Sequence, residues 1–430
     1  MEVTIHRGSK EIGGSCVEVS TKNTRLVLDA GLPLVTPERE PFDPGGIRGK
    51  TVAELIETGV IPRVPGLYAE GAVPDAILLS HSHLDHAGLL HLTQPEIPIY
   101  ATSGTSKMMN AGAQFSGQRW LDRVRHEEIK PRVQRTIGDF TVTGFPVDHS
   151  AYGGVAYLLE AEGKTVLYSG DLRCHGRKPG MIHALVDEAR KRSIDVLIME
   201  GTHIGSGRGT GINEYELESR IRSLIEESPQ LVLSSFSPID VDRIVTYYKA
   251  ARSAGRIFVA DAYTAYVMYL VHTEAKIPLP QTAAGIRVFF NEAFNRRNRT
   301  TIQELFSGDR IGLGEILSDP RAYVMMFRPS MVELDFGGQL PTGSRCLYSY
   351  WKGYLEKPDW VRCQEQLKAA GGELIHAHAS GHIYEEDLVA FVNGINPRMV
   401  VPIHTFEPHG FKELFPNVTC LVDGEPYQVP

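Results

Sequence analysis

Apolar residues in the first two hundred positions come in short runs, broken by glycine, proline or polar turns. That pattern predicts strands at Val3–Arg7, Cys16–Ser20, Arg25–Asp29, Asp75–Leu79, Ile97–Ala101, Phe140–Val147, Val155–Leu159, Thr165–Tyr168 and Asp195–Glu200. Helices are expected at Thr51–Thr58, from Ser103 to about Gln118, and at Met181–Arg192. The basic stretch Arg119–Arg135 reads as a solvated helix or loop, and the Pro/Gly-rich stretch from Leu32 to Gly49 as a surface loop. Strands outnumber helices, and helices fall between only some of them. This predicts a layered α/β sandwich rather than a pure βαβ repeat.

From about Thr210 the rhythm changes. Helices at Asn213–Glu227, Ile239–Ala254 and from about Tyr263 to Thr273 alternate with strands at Gln230–Ser234 and Arg256–Ala260. Regular alternation of this kind marks a parallel-sheet unit. It continues through Tyr323–Phe327, Cys346–Tyr350 and a helix at Asp359–Ala370 that ends on Gly371-Gly372. Asn295 to Arg299 reads equally well as an exposed loop or as a polyanion contact. The chain closes with a strand running into His376–His382, a helix at Tyr384–Val392, a strand at Arg398–His404 and two terminal strands.

Polar residues recur at the carboxyl tips of these otherwise apolar strands: Asp29, His81 and His83, His149, Asp171, Glu200, His382 and His404. The densest group is Ser80-His81-Ser82-His83-Leu84-Asp85-His86. His81 and His83 are two apart, so on an extended strand end they point the same way. Asp85 and His86 follow where the chain turns into a helix. The short segment therefore suits two metal ions. His81, His83 and His149 make one site, Asp85, His86 and His404 the other, and Asp171 lends one oxygen to each. Imidazole and carboxylate ligands suit zinc, and manganese second. Two cations would lower the pKa of a shared water enough to yield hydroxide near neutral pH.

Composition adds limits. The chain has 430 residues, enough for two or three domain-sized units, and is 42% hydrophobic and 22% charged, as soluble globular proteins are. No apolar run approaches the ~20 residues of a membrane helix. The first residues begin directly with a strand-like alternation. Five scattered cysteines, none in a CxxC pair, read as reduced thiols, which implies a cytoplasmic protein. A net charge of −8 argues against non-specific coating of duplex DNA, so any polyanion is held in a local groove.

Leu28-Asp29-Ala30-Gly31, the His81–His86 segment, Asp148-His149 and Ser169-Gly170-Asp171 resemble the ordered motifs of the metallo-β-lactamase superfamily. Glu11-Ile12-Gly13, Glu200-Gly201-Thr202, His378-Ala379-Ser380-Gly381-His382 and Pro402-Ile403-His404 resemble motifs of its β-CASP branch of nucleases, which includes ribonuclease J and the cleavage-factor nucleases. The resemblance implies a metallo-β-lactamase αββα sandwich from residues 1–203 and 374–430, with a β-CASP α/β domain inserted at 204–373. It implies two zinc ions per chain and phosphodiester hydrolysis of single-stranded nucleic acid, RNA ahead of DNA, by the hydroxide bridging them. It leaves exonuclease and endonuclease action both open, and an oligomer also. Asp85, Glu200 and His382 would take part in the chemistry: Asp85 through its ion, and the Glu200–His382 pair by protonating or positioning the leaving oxygen. Asp29 would orient a ligand histidine. His378, Ser380 and Gly381 would hold the scissile phosphate, and Ser234 and Ser235 a terminal one. The sequence departs from the family at Phe327-Arg328-Pro329-Ser330, where ribonuclease J carries a TGSQGEP-like segment, and at Thr405-Phe406, where Gly-Glu is common.

Overall fold

In the computed structural model the described residues are all of 1–430 except 37, 117–125, 208 and 298. The chain divides into two units. The first comprises Met1–Ala113, Gln118–Gly211 and Gly381–Pro430, and the second Gln114–Gly117 and Ile212–Ser380.

Two sheets form the first unit. One has seven strands in the order Tyr427–Gln428, Glu2–Arg7, Cys16–Ser20, Arg25–Leu28, Ala76–Leu78, Ile99–Ala101 and His126–Glu128. The other has six, in the order Met399–Ile403, Val196–Glu200, Lys164–Tyr168, Val155–Ala161, Phe140–Pro146 and Gln134–Ile137. Residue parity sorts the faces. Val166, Tyr168, Val196 and Ile198 join Val17, Val19, Leu26 and Leu28 in one core between the sheets. Their neighbours Leu167, Leu197 and Met199 point the other way, onto the helices Gly180–Arg190 and Glu385–Ile395. Val27, Ile77 and Ile99 do the same on the far side of the first sheet. Helix, sheet, sheet and helix are thus stacked in four layers, as the sequence predicts. Each fully buried Val, Leu or Ile contributes roughly 1.5–3 kcal/mol relative to exposure.

The second unit is built on a six-stranded sheet in the order Ile286–Phe289, Ile257–Asp261, Tyr323–Met326, Val232–Ser235, Arg345–Tyr348 and Glu373–His376. All its pairings are parallel. The helices Glu214–Glu227, Val241–Ser253 and Ala262–Ala275 fall close to their expected places.

Several expectations change. Glu373–His376 pairs with Arg345–Tyr348 as an edge strand of the second unit, so the chain returns to the first unit at Gly381 rather than 374. Part of the stretch 119–135 lies outside the described residues, but His126–Glu128 and Gln134–Ile137 are edge strands. Their polar composition suits an edge and hides the strand pattern. Ile286–Phe289 is a further strand without a sequence-based expectation. Asn298 lies outside the described residues, and Arg297 spends its guanidinium on the Phe115 and Gln114 carbonyls. One terminal strand forms, not two. The five cysteines are free, as expected. Among the described residues no helix is long and apolar enough to cross a membrane.

Glu18, on the strand Cys16–Ser20, accepts from Arg25 Nε at 2.9 Å and Nη2 at 2.8 Å, and lies 3.2 Å from His6 Nε2. Burial alone would raise its pKa. The bonds to Arg25 and His6 outweigh it and hold the carboxyl at about 2, against an ordinary 4.5. A depressed folded pKa stabilises fully above the unfolded value and is lost as pH falls through the folded one. Between pH 7 and pH 3 the wild-type chain should therefore lose about 2 kcal/mol more than Glu18→Gln, measured by urea denaturation. Equal losses would show that the pairing contributes nothing.

Candidate metal centre

Strand direction gathers the site. Arg25–Leu28, Ala76–Leu78 and Ile99–Ala101 are parallel, so Asp29 and the His81–His83 segment leave the same edge of the first sheet. In the second sheet Lys164–Tyr168, Val196–Glu200 and Met399–Ile403 are parallel, which brings Asp171, Glu200 and His404 to one edge. Phe140–Pro146 runs the same way, through the antiparallel strand Val155–Ala161, and delivers His149 there too.

The backbone turns sharply where side chains must point inward. Asp29 and His404 have φ of 63° and 54°, a left-handed conformation uncommon for residues with a side chain. His83 is still extended and caps the four-residue helix Leu84–Ala87, which presents Asp85 and His86. The carbonyls of Leu84, Asp85 and His86 accept from the N–H groups of Leu32, Ser15 and Ala30. A Cβ at Gly31 would sit 1.8 Å from the Asp85 carbonyl oxygen, so only glycine permits that approach.

Two groups of ligand atoms result. His81 Nε2 and His149 Nε2 lie 3.2 and 3.0 Å from His83 Nδ1. Burial, then neighbouring charged groups, holds His81 and His149 well below their ordinary pKa and His83 at about 4. Three neutral imidazoles therefore face one another. Tetrahedral bonds of 2.0–2.1 Å would set such nitrogens about 3.3 Å apart, close to the spacing observed. In the second group, Asp85, His86, Asp171 and His404 hold one ligand atom each within 4.8 Å of one another. Asp85 Oδ2 is 3.2 Å from His404 Nε2. Burial would raise Asp85, but the bond from His404 and the charge of His86 carry it well below the carboxylate range.

Asp171 joins the groups. Its Oδ2 lies 3.1 Å from His86 Nε2, 3.7 Å from His81 Nε2, and 3.8 Å from both His149 Nε2 and His404 Nε2. His86 Nε2 is its one close partner, and Oδ1 is buried with none. A buried carboxylate with an unmatched oxygen is expensive. Cations bridged by Asp171 would satisfy it, so the donor set fits a pair of divalent ions.

A supporting layer fixes ligand tautomers. Asp29, fully buried, accepts from Ser80 N and Oγ at 2.7 Å, Tyr168 Oη at 2.8 Å and His86 Nδ1 at 2.8 Å. The bond to Nδ1 turns His86 Nε2 to the site. His149 Nδ1 donates to the Gly381 carbonyl at 2.5 Å, His81 Nδ1 lies 3.0 Å from Ser80 Oγ, and His404 Nδ1 lies 2.9 Å from Thr202 Oγ1. Asp148 pairs with the buried Arg173 at 2.9 Å, anchoring the turn that carries His149. Ser80, Thr202, Tyr168 and Arg173 had no sequence signal beyond their nearness to motif residues.

Glu200 and His382 form an ion pair at 3.2 Å, and His382 Nδ1 is 3.7 Å from Asp171 Oδ2. Burial would lower His382, but Glu200 and then Asp171 raise it to about 9. The pair lies beside the Asp171 carboxylate. The expected phosphate contacts divide. Gly381 belongs to the first unit and gives its carbonyl to His149, whereas His378, Ser380, Ser234 and Ser235 belong to the second. Ser234 is fully buried and donates to the Met325 carbonyl at 3.1 Å, which withdraws its hydroxyl from a phosphate role. Ser235 is buried as well. His378 Nδ1 lies 3.3 Å from Arg243 Nη1. Arg243 was missed by sequence reasoning. It is buried, pairs with Glu214 at 2.7 Å and donates to the Ser349 and Ala379 carbonyls, fastening the segment that carries His378 and Ser380.

Residues 25–210 match the family described as a beta-lactamase superfamily domain. The chain carries a metallo-β-lactamase superfamily domain. Among curated proteins it is similar to ribonuclease J of Sinorhizobium meliloti, 22% identical over 85% of this chain and 65% of that protein. An RNase J-like protein of Methanocaldococcus jannaschii is 27% identical over 54% of this chain and 50% of its own. Ribonuclease J of Pyrococcus abyssi is 22% identical over 92% and 88%. The chain spans about half to two thirds of the length of the first of these relatives. A crystal structure of an Enterococcus faecalis protein of unknown function shares the fold, with a TM-score of 0.82, 24% identity and 99% coverage of both chains.

Asp29→Ala should weaken divalent-metal binding about 10–100-fold, measured by competition with a chromogenic chelator, with circular dichroism unchanged. Wild-type affinity would show that His86 needs no orienting partner. Arg243→Met should lower stability by about 3–5 kcal/mol in denaturant titration, because the buried Glu214 carboxylate loses its cation. A loss under 1 kcal/mol would contradict that reading.

Proposed function

We propose that the chain is a metal-dependent nuclease that hydrolyses phosphodiester bonds of RNA, with two zinc ions per chain. The observation that carries the reading is the buried Asp171 carboxylate, ringed by imidazoles and flanked by the Glu200–His382 pair. Such an arrangement pairs a site for two cations with a proton donor beside it. The names of the similar ribonucleases J support RNA as the strand. On this reading the first unit is the metallo-β-lactamase domain and Ile212–Ser380 the β-CASP insertion.

Bound zinc would supply Lewis acidity toward a phosphoryl oxygen and activate water at neutral pH. His81, His83 and His149 would hold one ion, Asp85, His86 and His404 the other, with Asp171 shared. His382 donates its proton to the departing oxygen, and Glu200 keeps that imidazole protonated and aimed. Thr202 Oγ1 lies 3.1 Å from His382 Nδ1 and 2.9 Å from His404 Nδ1, which ties the proton donor to a metal ligand. In the first unit the Gly381 backbone is the proposed phosphate contact, and in the second unit His378, Ser380 and Ser235 are proposed.

The test uses end-labelled single-stranded RNA and matched DNA, with and without chelator. RNA should be cut, chelator should abolish cutting, and His83→Ala should lose at least about a hundredfold in rate. A mononucleotide ladder would assign exonuclease action and internal fragments endonuclease action. Cutting of DNA alone would change the substrate, and cutting of neither would sink the nuclease reading. His382→Ala should cost about a hundredfold on RNA but much less on a p-nitrophenyl phosphodiester, whose leaving group needs no proton. Equal losses on both would remove His382 as the acid.

A further inference from the structure

Trp351 lies in the second unit, between the strand Arg345–Tyr348 and the helix Pro358–Ala369. It is 56% exposed, the most of any large apolar side chain among the described residues, and Tyr354 beside it is 37% exposed. A scattered surface leucine or valine needs no explanation. A tryptophan left this far in solvent gives up the largest apolar surface of any residue type.

The indole is also held in place. The Trp351 carbonyl accepts from Tyr348 Oη at 3.1 Å and from Tyr354 N at 3.2 Å, which ties the turn to a fully buried tyrosine. A Cβ at Gly353 would sit 2.2 Å from indole atoms Cη2 and Cζ3. The benzo ring therefore rests on bare glycine backbone, in space any other residue would fill. The Tyr354 ring meets the indole edge to face, with centroids 5.5 Å apart and planes at 88°. Lys357 Nζ stands 4.4 Å from the centre of the Tyr354 ring, on the range of a cation–π contact. Lys352 and Lys357 are exposed, against one exposed carboxylate between them, Glu356. The next, Asp359, is paired with Arg362. In a chain of net charge −8 this turn is locally positive.

We propose that Trp351 is a stacking platform for an unpaired base of the substrate strand. The proposal rests on the nucleic-acid reading and names a contact of that strand. A flat, fixed indole fits a base because every base has a π-face, so stacking tolerates sequence. The lysines favour a polyanion over a protein partner, since protein interfaces are depleted of lysine. A ring held before binding also loses little freedom when a base arrives.

The test uses the full chain in chelator, so that binding is read without cleavage. Tryptophan fluorescence and the anisotropy of a labelled strand are followed with a single-stranded RNA ten-mer, the same sequence as a duplex, and an abasic ten-mer. The single strand should quench the wild type, and Trp351→Phe should lose the quenching while keeping most of the affinity. Trp351→Ala should bind the single strand about tenfold more weakly. Gly353→Ala, which keeps the tryptophan but displaces its ring, should weaken binding too. The duplex should quench far less, and the abasic strand should bind wild type and variants equally. Equal binding of the single strand by wild type and Trp351→Ala would overturn the proposal and leave the nuclease reading standing. Quenching that survives in Trp351→Phe would overturn it equally, whether or not the alanine variant folds. No binding of any strand, with no cleavage in the assay above, would sink both. Self-association in sedimentation that Trp351→Ala abolishes, without base-dependent quenching, would overturn it in favour of a protein contact.

Discussion

The site in the first unit depends on the burial of one carboxylate that the protein only partly satisfies. Asp171 is buried, its Oδ1 has no partner, and imidazole nitrogens of His81, His86, His149, His382 and His404 stand 3.1–3.8 Å from Oδ2, His86 nearest in an ion pair. A folded chain does not keep such a group unless something outweighs its desolvation. Burial would raise its pKa, and the surrounding imidazoles, His404 foremost, hold it far below the carboxylate range instead. A pair of divalent cations is the simplest occupant that satisfies Asp171 and keeps His81, His86, His149 and His404 as ligands.

The fold meets this demand through strand direction and a few backbone exceptions. Parallel strands in both sheets end on one edge, so residues from positions 29 to 404 converge without long side chains. The left-handed turns at Asp29 and His404 bend the chain off its strands at the two places where a side chain must swing inward. Gly31 allows the backbone to touch the Asp85 carbonyl and hold the ligand helix. Second nitrogens of His81, His86, His149 and His404 are each engaged, so the ligand face of each ring is set before any ion arrives.

The sequence was most legible where chemistry and hydrophobic pattern coincide. His81 to His86, Asp171 and His404 were readable because polar residues at the ends of apolar strands have few other reasons to be there. The core strands were readable for the complementary reason. Edges were not: His126–Glu128 and Gln134–Ile137 are polar because they border solvent, and polarity erases the period-two signal. The return from the second unit was placed too early, since Glu373–His376 carries no mark of which sheet it joins. Arg243 and Arg173 were invisible because a buried arginine looks like a surface one until its partners, Glu214 and Asp148, arrive from elsewhere in the chain. Ser234 misled for the opposite reason, as a hydroxyl at a strand end that the fold uses internally.

The central claim is that Asp171 lies between two metal ions. Anomalous diffraction at the zinc edge from crystals grown with zinc tests it directly. Two peaks are predicted, one beside His81, His83 and His149 and the other beside Asp85, His86 and His404, with Asp171 reaching both. A single peak, or Asp171 turned away from the metal, would contradict the account.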